Sequence, residues 1–194
     1  MLEFLVELDK SLFLFFNGLH HPVLDVFFYW VSSKWIWVPF YVLLAWHAYR
    51  KQGNYLFLMF VFIAAAVAAS DQLASGLIKP TVMRLRPCHD PSLAGQVHLV
   101  YDYCGGKYGF ISSHAANVFT LLAFMLKLFE GKPYGFRPVL WFWAITVSFS
   151  RIYLGAHFPG DIIAGLIVGS LSGNIFARLY AKSRDHLITR NQKN

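Results

Sequence analysis

The segment YLFLMFVFIAAAVAA, residues 55–69, runs for fifteen residues without a charge. Extended from about Asn54 to Ile78, it matches the roughly 20 residues that an α-helix needs to cross a bilayer core. Lipid offers backbone groups no partners, so a lone apolar segment of this kind crosses as a helix. Four more stretches repeat the pattern: Trp35 to Tyr49, beginning as early as Phe27; His114 to about Leu128; about Phe136 to Ser150; and about Ile162 to Tyr180. The expected fold is an all-α integral-membrane helical bundle of about five transmembrane helices, forming one domain over residues 1–194. Residues 1–31 read as one or two short amphipathic helices at the membrane surface, broken near Asn17 to Pro22. A sixth span in that region is the alternative count.

Composition agrees. The chain is 57% hydrophobic and 14% charged, with nineteen phenylalanines, whereas soluble domains carry about 25% charged residues. A soluble protein of this size could not bury so much apolar surface. The formal charge of +7 does not indicate a nucleic-acid partner, because the basic residues gather on no polar domain. They fall between apolar runs and in a polar stretch in the middle of the chain. Arg50 and Lys51 follow the first span, Lys132 and Arg137 lie at the junction of the third and fourth, and Lys182, Arg184, Arg190 and Lys193 follow the fifth. The positive-inside bias makes these segments cytoplasmic, with residues 182–194 as a tail and residues 79–111 as an extracytoplasmic loop. Lys79, Arg84, Arg86, Lys107 and Arg151 count against that orientation unless a site explains them. Leu2 to Leu19 is interrupted by Glu3, Glu7, Asp9 and Lys10 and lacks the features of a secretory signal. Both cysteines, Cys88 and Cys104, lie in the central loop. An oxidising compartment would permit a disulfide; two free thiols is the other reading.

The alternation of spans brings three separate segments to one membrane face. Lys79 and Arg86 sit beyond the second span, and Ser112, Ser113 and His114 open the third. Ser150 and Arg151 end the fourth, and His157 and Asp161 lie where the fifth begins. Lys79, Arg86 and Arg151 offer three cations, two of them planar forks suited to phosphate oxygens. Ser112 and Ser113 stand where a helix start frees N–H groups toward an anion. Asp161 can fix the tautomer of His157 and leave one ring nitrogen as a nucleophile. His114 can act as the acid for a leaving oxygen. Singly, each residue has a duller reading: snorkelling cations, a serine cap, a structural histidine. His157 and Asp161 could share a metal, but no third ligand is evidently placed for it. Gly165, Gly169 and Gly173 read as helix packing. Arg84 and Lys107, near these residues, read as solvated surface residues or as holders of a second phosphate or a sugar headgroup, and Asp71 as an intramembrane carboxylate with a structural partner.

Together, Lys79-x6-Arg86-Pro87, Ser112-Ser113-His114 and Ser150-Arg151-x5-His157-x3-Asp161 resemble the three-part signature of the type 2 phosphatidic acid phosphatase superfamily. The resemblance covers about residues 55–180. The middle part departs from the family's Pro-Ser-Gly-His: Ile111 replaces the proline and Ser113 the glycine, which narrows the pocket and leaves His114 in place. The resemblance implies a metal-independent, cofactor-free hydrolase of a lipid phosphomonoester or pyrophosphate. His157 would be the nucleophile, held by Asp161, with His114 as acid and base. Lys79, Arg86, Arg151, Ser112 and Ser113 would hold the phosphoryl group. The expected partners are membrane lipids and a lipid phosphate: undecaprenyl pyrophosphate, phosphatidylglycerol phosphate, phosphatidate or a lipid A phosphate. The expected location is the inner membrane, with the site facing outward. A vanadate-binding haloperoxidase of the same superfamily is disfavoured because those proteins are soluble. A non-catalytic lipid-binding relative would not need both histidines, and a transporter would spread its charges across the bilayer.

Overall fold

The computed structural model describes residues 1–130 and 136–192. Lys132 and Lys193, used above for orientation, lie outside the described residues. Among the described residues eight α-helices follow one another: α1 (Leu2–Gly18), α2 (Pro22–Ser32), α3 (Val38–Gln52), α4 (Leu56–Asp71), α5 (Lys79–Val82), α6 (Ser113–Leu128), α7 (Arg137–Tyr153) and α8 (Pro159–Asn191). The five expected spans correspond to α3, α4 with its continuation, α6, α7 and α8. The protein is an all-α membrane bundle. Among the described residues the only β-pairing is an isolated bridge between Leu85 and Tyr108.

Helix ends follow local chemistry. Pro22, Pro39, Pro138 and Pro159 stand in the first turns of their helices, where a missing N–H costs nothing and φ is already helical. Gly53 adopts φ 52° at the end of α3, a left-handed turn that reverses the chain into α4. The last turn of α3 is then tied to α8 by the hydroxyl of Tyr180, which donates to Gln52 Oε1 at 2.7 Å.

Two features differ from the sequence reading. The second span leaves α geometry at Gln72 and continues as a π-helix to Ile78. The extra residue per turn re-aims the side chains that follow, a device common near functional sites. The N-terminal helices also do more than lie on a surface. Phe13 is completely buried and packs edge-on against Phe158 at 5.4 Å between ring centroids. Asn17 Nδ2 donates to the carbonyls of His98 and Tyr153 at 2.9 and 2.8 Å, which clamps the end of α1 to the central loop and α7. These contacts join residues more than 80 positions apart, beyond what local periodicity reveals. Of the segment expected as a tail, residues 182–191 continue α8.

The core lies among α3, α4, α6, α7 and α8, around Phe119, Phe124, Leu140, Trp143 and Tyr180. Outward-facing apolar residues such as Phe57 (79% exposed) and Phe142 (68%) cover the rim, as a lipid-facing surface requires. The tightest helix pair is α6 with α8. A Cβ built on Gly165 would fall 2.6 Å from the Ser112 carbonyl oxygen, and those on Gly169 and Gly173 would fall closer still to the Ala116 and Thr120 carbonyls. Only glycine permits this approach, so the expected packing role is explained. Thus α6 and α8 start side by side: the Ser112 N–H donates to the Asp161 carbonyl at 3.1 Å. The expected partner of Asp71 is Asn117, whose Nδ2 donates to it at 3.0 Å.

Candidate active site

His157 sits in the short turn between α7 and α8. Its backbone is fixed by its own N–H and that of Ala156, both donating to the Arg151 carbonyl at 3.1 and 3.0 Å. Gly155 makes the turn with φ 75°, and a Cβ there would meet Leu99 Cδ2 at 2.7 Å, so neither its conformation nor its surroundings admit a side chain. Asp161 occupies the first turn of α8. Its Oδ2 accepts from the Phe158 N–H at 3.0 Å and faces His157 Nδ1 at 3.3 Å. The carboxylate therefore caps its own helix and orients the imidazole.

The tautomer follows from elementary donor chemistry. His157 Nε2 lies 3.0 Å from Arg86 Nη1, and a guanidinium can only donate. Nε2 must hold its lone pair toward the arginine, which puts the proton on Nδ1, toward Asp161. Burial, then the cations Arg86, Arg151 and Lys79, hold the His157 imidazole well below its ordinary range, because each disfavours the charged ring. His157 is a neutral histidine with an available lone pair.

The cations come from three elements. Arg86 is braced by Nε to the Gly106 carbonyl at 2.6 Å and Nη1 to the Ala156 carbonyl at 2.9 Å. Lys79, delivered by the π-helical continuation of α4, donates to Ser113 Oγ at 2.6 Å. Ser75 from the same π segment pairs with Ser113 Oγ at 2.8 Å. Arg151, at the end of α7 and 6% exposed, donates through Nη1 to Ser32 on α2. Its Nε is buried without a hydrogen-bond partner among the described residues. A buried donor in that state fits an anionic oxygen. His114 projects from the first turn of α6 into the electrostatic field of Arg151, His157, Lys79 and Arg86. All eight residues picked from the sequence converge.

The two serines occupy different surroundings. Ser112 is fully buried and its hydroxyl caps α6, accepting from the Ala115 N–H at 3.4 Å. Ser113, with its hydroxyl shared between Lys79 and Ser75, is the serine that faces the cations. Cys88 and Cys104 are joined as a disulfide with their Cα atoms 6.0 Å apart. Their grouping with His89 therefore supplies no thiolates for a metal.

Sequence reasoning missed Ser32, Ser75, Asp9 and the position of Arg84. Arg84 is not a surface residue: Nη1 donates to Asp161 Oδ1 at 3.0 Å and Nη2 to Asp9 Oδ2 at 2.7 Å. The signal available was spacing. Leu85 pairs with Tyr108 in extended backbone, so Arg84 and Arg86 project to the same side, one toward Asp161 and the other toward His157.

A family model described as the PAP2 superfamily matches residues 54–185. The chain belongs to the PAP2 superfamily. Within it, the chain is 40% identical over 186 residues to a lipid A 4'-phosphatase of Porphyromonas gingivalis, covering 94% of this chain and 78% of that one. A lipid A 4'-phosphatase of Bacteroides thetaiotaomicron is 39% identical, with 91% and 78% covered. Among solved structures, Aquifex aeolicus LpxE aligns with a TM-score of 0.59 at 25% identity, covering 87% of this chain and 93% of that one. A PAP2-type phosphatidylglycerolphosphate phosphatase from Bacillus subtilis shares the fold, with a TM-score of 0.66 at 17% identity and coverage of 92% and 87%. The PAP2 protein described here is a membrane lipid-phosphate phosphatase, a hydrolase of the metal-independent kind.

Proposed function

We propose that this PAP2 enzyme removes a phosphate from a lipid A-type glycolipid at the outer side of the inner membrane, through a phosphohistidine on His157. The observation that carries the chemistry is the His157 ring itself, with Nδ1 toward Asp161 and the Nε2 lone pair toward Arg86. Arg86 Nη1 marks the direction from which phosphorus arrives. On substrate binding it turns from Nε2 to a phosphoryl oxygen. Arg151 Nε, Lys79 and the Ser113 hydroxyl take the remaining oxygens, and Ser112 contributes through the helix start it caps. Nε2 attacks in line, the P–O bond to the glycolipid breaks, and His114 gives the departing oxygen its proton. His114 then takes a proton from water, which attacks phosphorus and frees His157 and inorganic phosphate. Fixed cations where charge accumulates supply most of the acceleration.

The substrate class rests on similarity: relatives named lipid A 4'-phosphatases match over nine-tenths of this chain, while a lipid A 1-phosphatase of Rhizobium etli matches 67% of it at 28% identity. The site side rests on the positive-inside count and on a disulfide in the site loop, a bond that persists in oxidising compartments. The test is phosphate release by purified protein in detergent with EDTA present, from lipid A bisphosphate, undecaprenyl pyrophosphate, phosphatidylglycerol phosphate and phosphatidate. Preferred release of the 4'-phosphate of lipid A, unaffected by EDTA, is expected. Preference for another lipid would overturn the substrate assignment, and a strict metal requirement would overturn the mechanism.

A further inference from the structure

The signature residues account for one oxygen of Asp161. Oδ2 accepts from the Phe158 N–H and faces His157, whereas Oδ1 accepts only from Arg84 Nη1 among the hydrogen bonds described. Asp161 is completely buried, and Arg84 is the cation in direct ion-pair contact with it. Arg84 is itself held on three sides. Nη2 donates to Asp9 Oδ2, the guanidinium lies over the Phe158 ring at 4.1 Å, and its backbone carbonyl accepts from the Gly109 N–H at 2.8 Å. Asp9 belongs to α1, and its other oxygen accepts from the Gly160 N–H at 2.7 Å, in the first turn of α8. The links form a closed ring: α1 Asp9, loop Arg84, α8 Asp161, and back through the α8 backbone to Asp9.

We propose that Asp9 and Arg84 are positioning residues for the His157–Asp161 pair, so that helix α1 forms part of the catalytic apparatus. The proposal rests on His157 being the nucleophile. Arg84 does two things to Asp161: it balances a carboxylate buried away from water, and its fork fixes the plane of the carboxyl group. The carboxylate plane in turn sets the imidazole plane, and with it the line of attack from Nε2. Asp9 orients Arg84 with a second charge-assisted bond. An amphipathic helix at a membrane surface thereby communicates with the reacting nitrogen through two ion pairs.

Neither residue touches the substrate, so their loss should lower kcat and leave KM nearly unchanged. Residues that orient a first-contact group commonly matter by about 10- to 100-fold. Arg84→Lys keeps the cation and loses the fork, and a fall in kcat of about tenfold is expected. Asp9→Asn keeps an acceptor for Gly160 and loses the charge on Arg84; a fall of about three- to tenfold is expected. The decisive arm is the Asp161→Asn background, where Arg84→Lys should cost less than about twofold, because residues that act through a shared partner are not additive. Folding of each variant is checked by its thermal midpoint in detergent. Should Arg84→Lys fail to fold, Asp9→Asn and its Asp161→Asn double variant carry the same test. Unchanged kcat in a folded single variant overturns the proposal. So does a raised KM with an effect that persists in the Asp161→Asn background, since that describes a substrate-binding arginine. Turnover that survives His157→Ala contradicts the nucleophile assignment instead and is read separately.

Discussion

The nucleophilic role proposed for His157 depends on a ring that stays neutral, and its surroundings favour that with burial and three cations. Protonation of Nε2 would remove the lone pair, but burial, then the cations Arg86, Arg151 and Lys79, hold that ring well below its ordinary 6.5, whereas burial raises the Asp161 carboxyl to about 6. The acidic limb of kcat/KM should therefore lie at or below about pH 6, where the carboxylate that orients the ring is protonated first; a limb above 6.5 would contradict the electrostatic picture. Gly109 is a second residue-scale constraint. A Cβ there would sit 3.1 Å from Asp161 Oδ2 and 3.2 Å from Arg86 Cγ, so Gly109→Ala must displace a residue of the dyad or its arginine. Small misplacements of reacting groups are costly, and a fall in kcat of about tenfold or more is expected. Wild-type kcat in a folded Gly109→Ala protein would show that the site tolerates the shift.

Helix α6 carries His114 in its first turn and His157 lies in the turn that leads into α8; the registry of these two helices comes from three glycines of α8 at four-residue spacing. A side chain at Gly169 collides with the Ala116 backbone, which cannot move without the helix. Overpacking of this kind costs about 1–3 kcal/mol, so Gly169→Val should lower the thermal midpoint and activity together; an unchanged midpoint would mean that the seam is looser than described. The spans and this seam were legible in the sequence, because apolar length and small-residue spacing are local patterns. The π-helix at Gln72–Ile78 was not: Gln72, Ser75 and Gly76 are all residues that an ordinary α-helix also accommodates, so the composition carries no signal for the wider turn. The clustering of the eight site residues was legible from alternation of spans. Asp9 was not, since its partner Arg84 lies 75 positions away and a lone carboxylate in an amphipathic helix ordinarily faces water.

At the scale of the whole molecule, a membrane bundle gathers Lys79, Arg86 and Arg151 at one end, where an anionic headgroup can meet them while its acyl chains stay in lipid. The central loop, stapled by Cys88–Cys104 and clamped by Asn17, holds Arg84 and Arg86 over that end. The proposed outward orientation predicts that a membrane-impermeant thiol reagent labels Cys88 and Cys104 in intact spheroplasts only after reduction; no labelling after reduction would place the loop inside, and labelling without reductant would mean that the thiols are free. The proposed reaction passes through a covalent bond between His157 and phosphorus. The direct measurement is rapid quenching of the enzyme with lipid substrate labelled in its phosphate, followed by peptide mapping. Label that is stable in base and lost in acid, located on His157 and absent from His157→Ala, is the predicted result. Turnover with no labelled protein, or label that persists in His157→Ala, would contradict it.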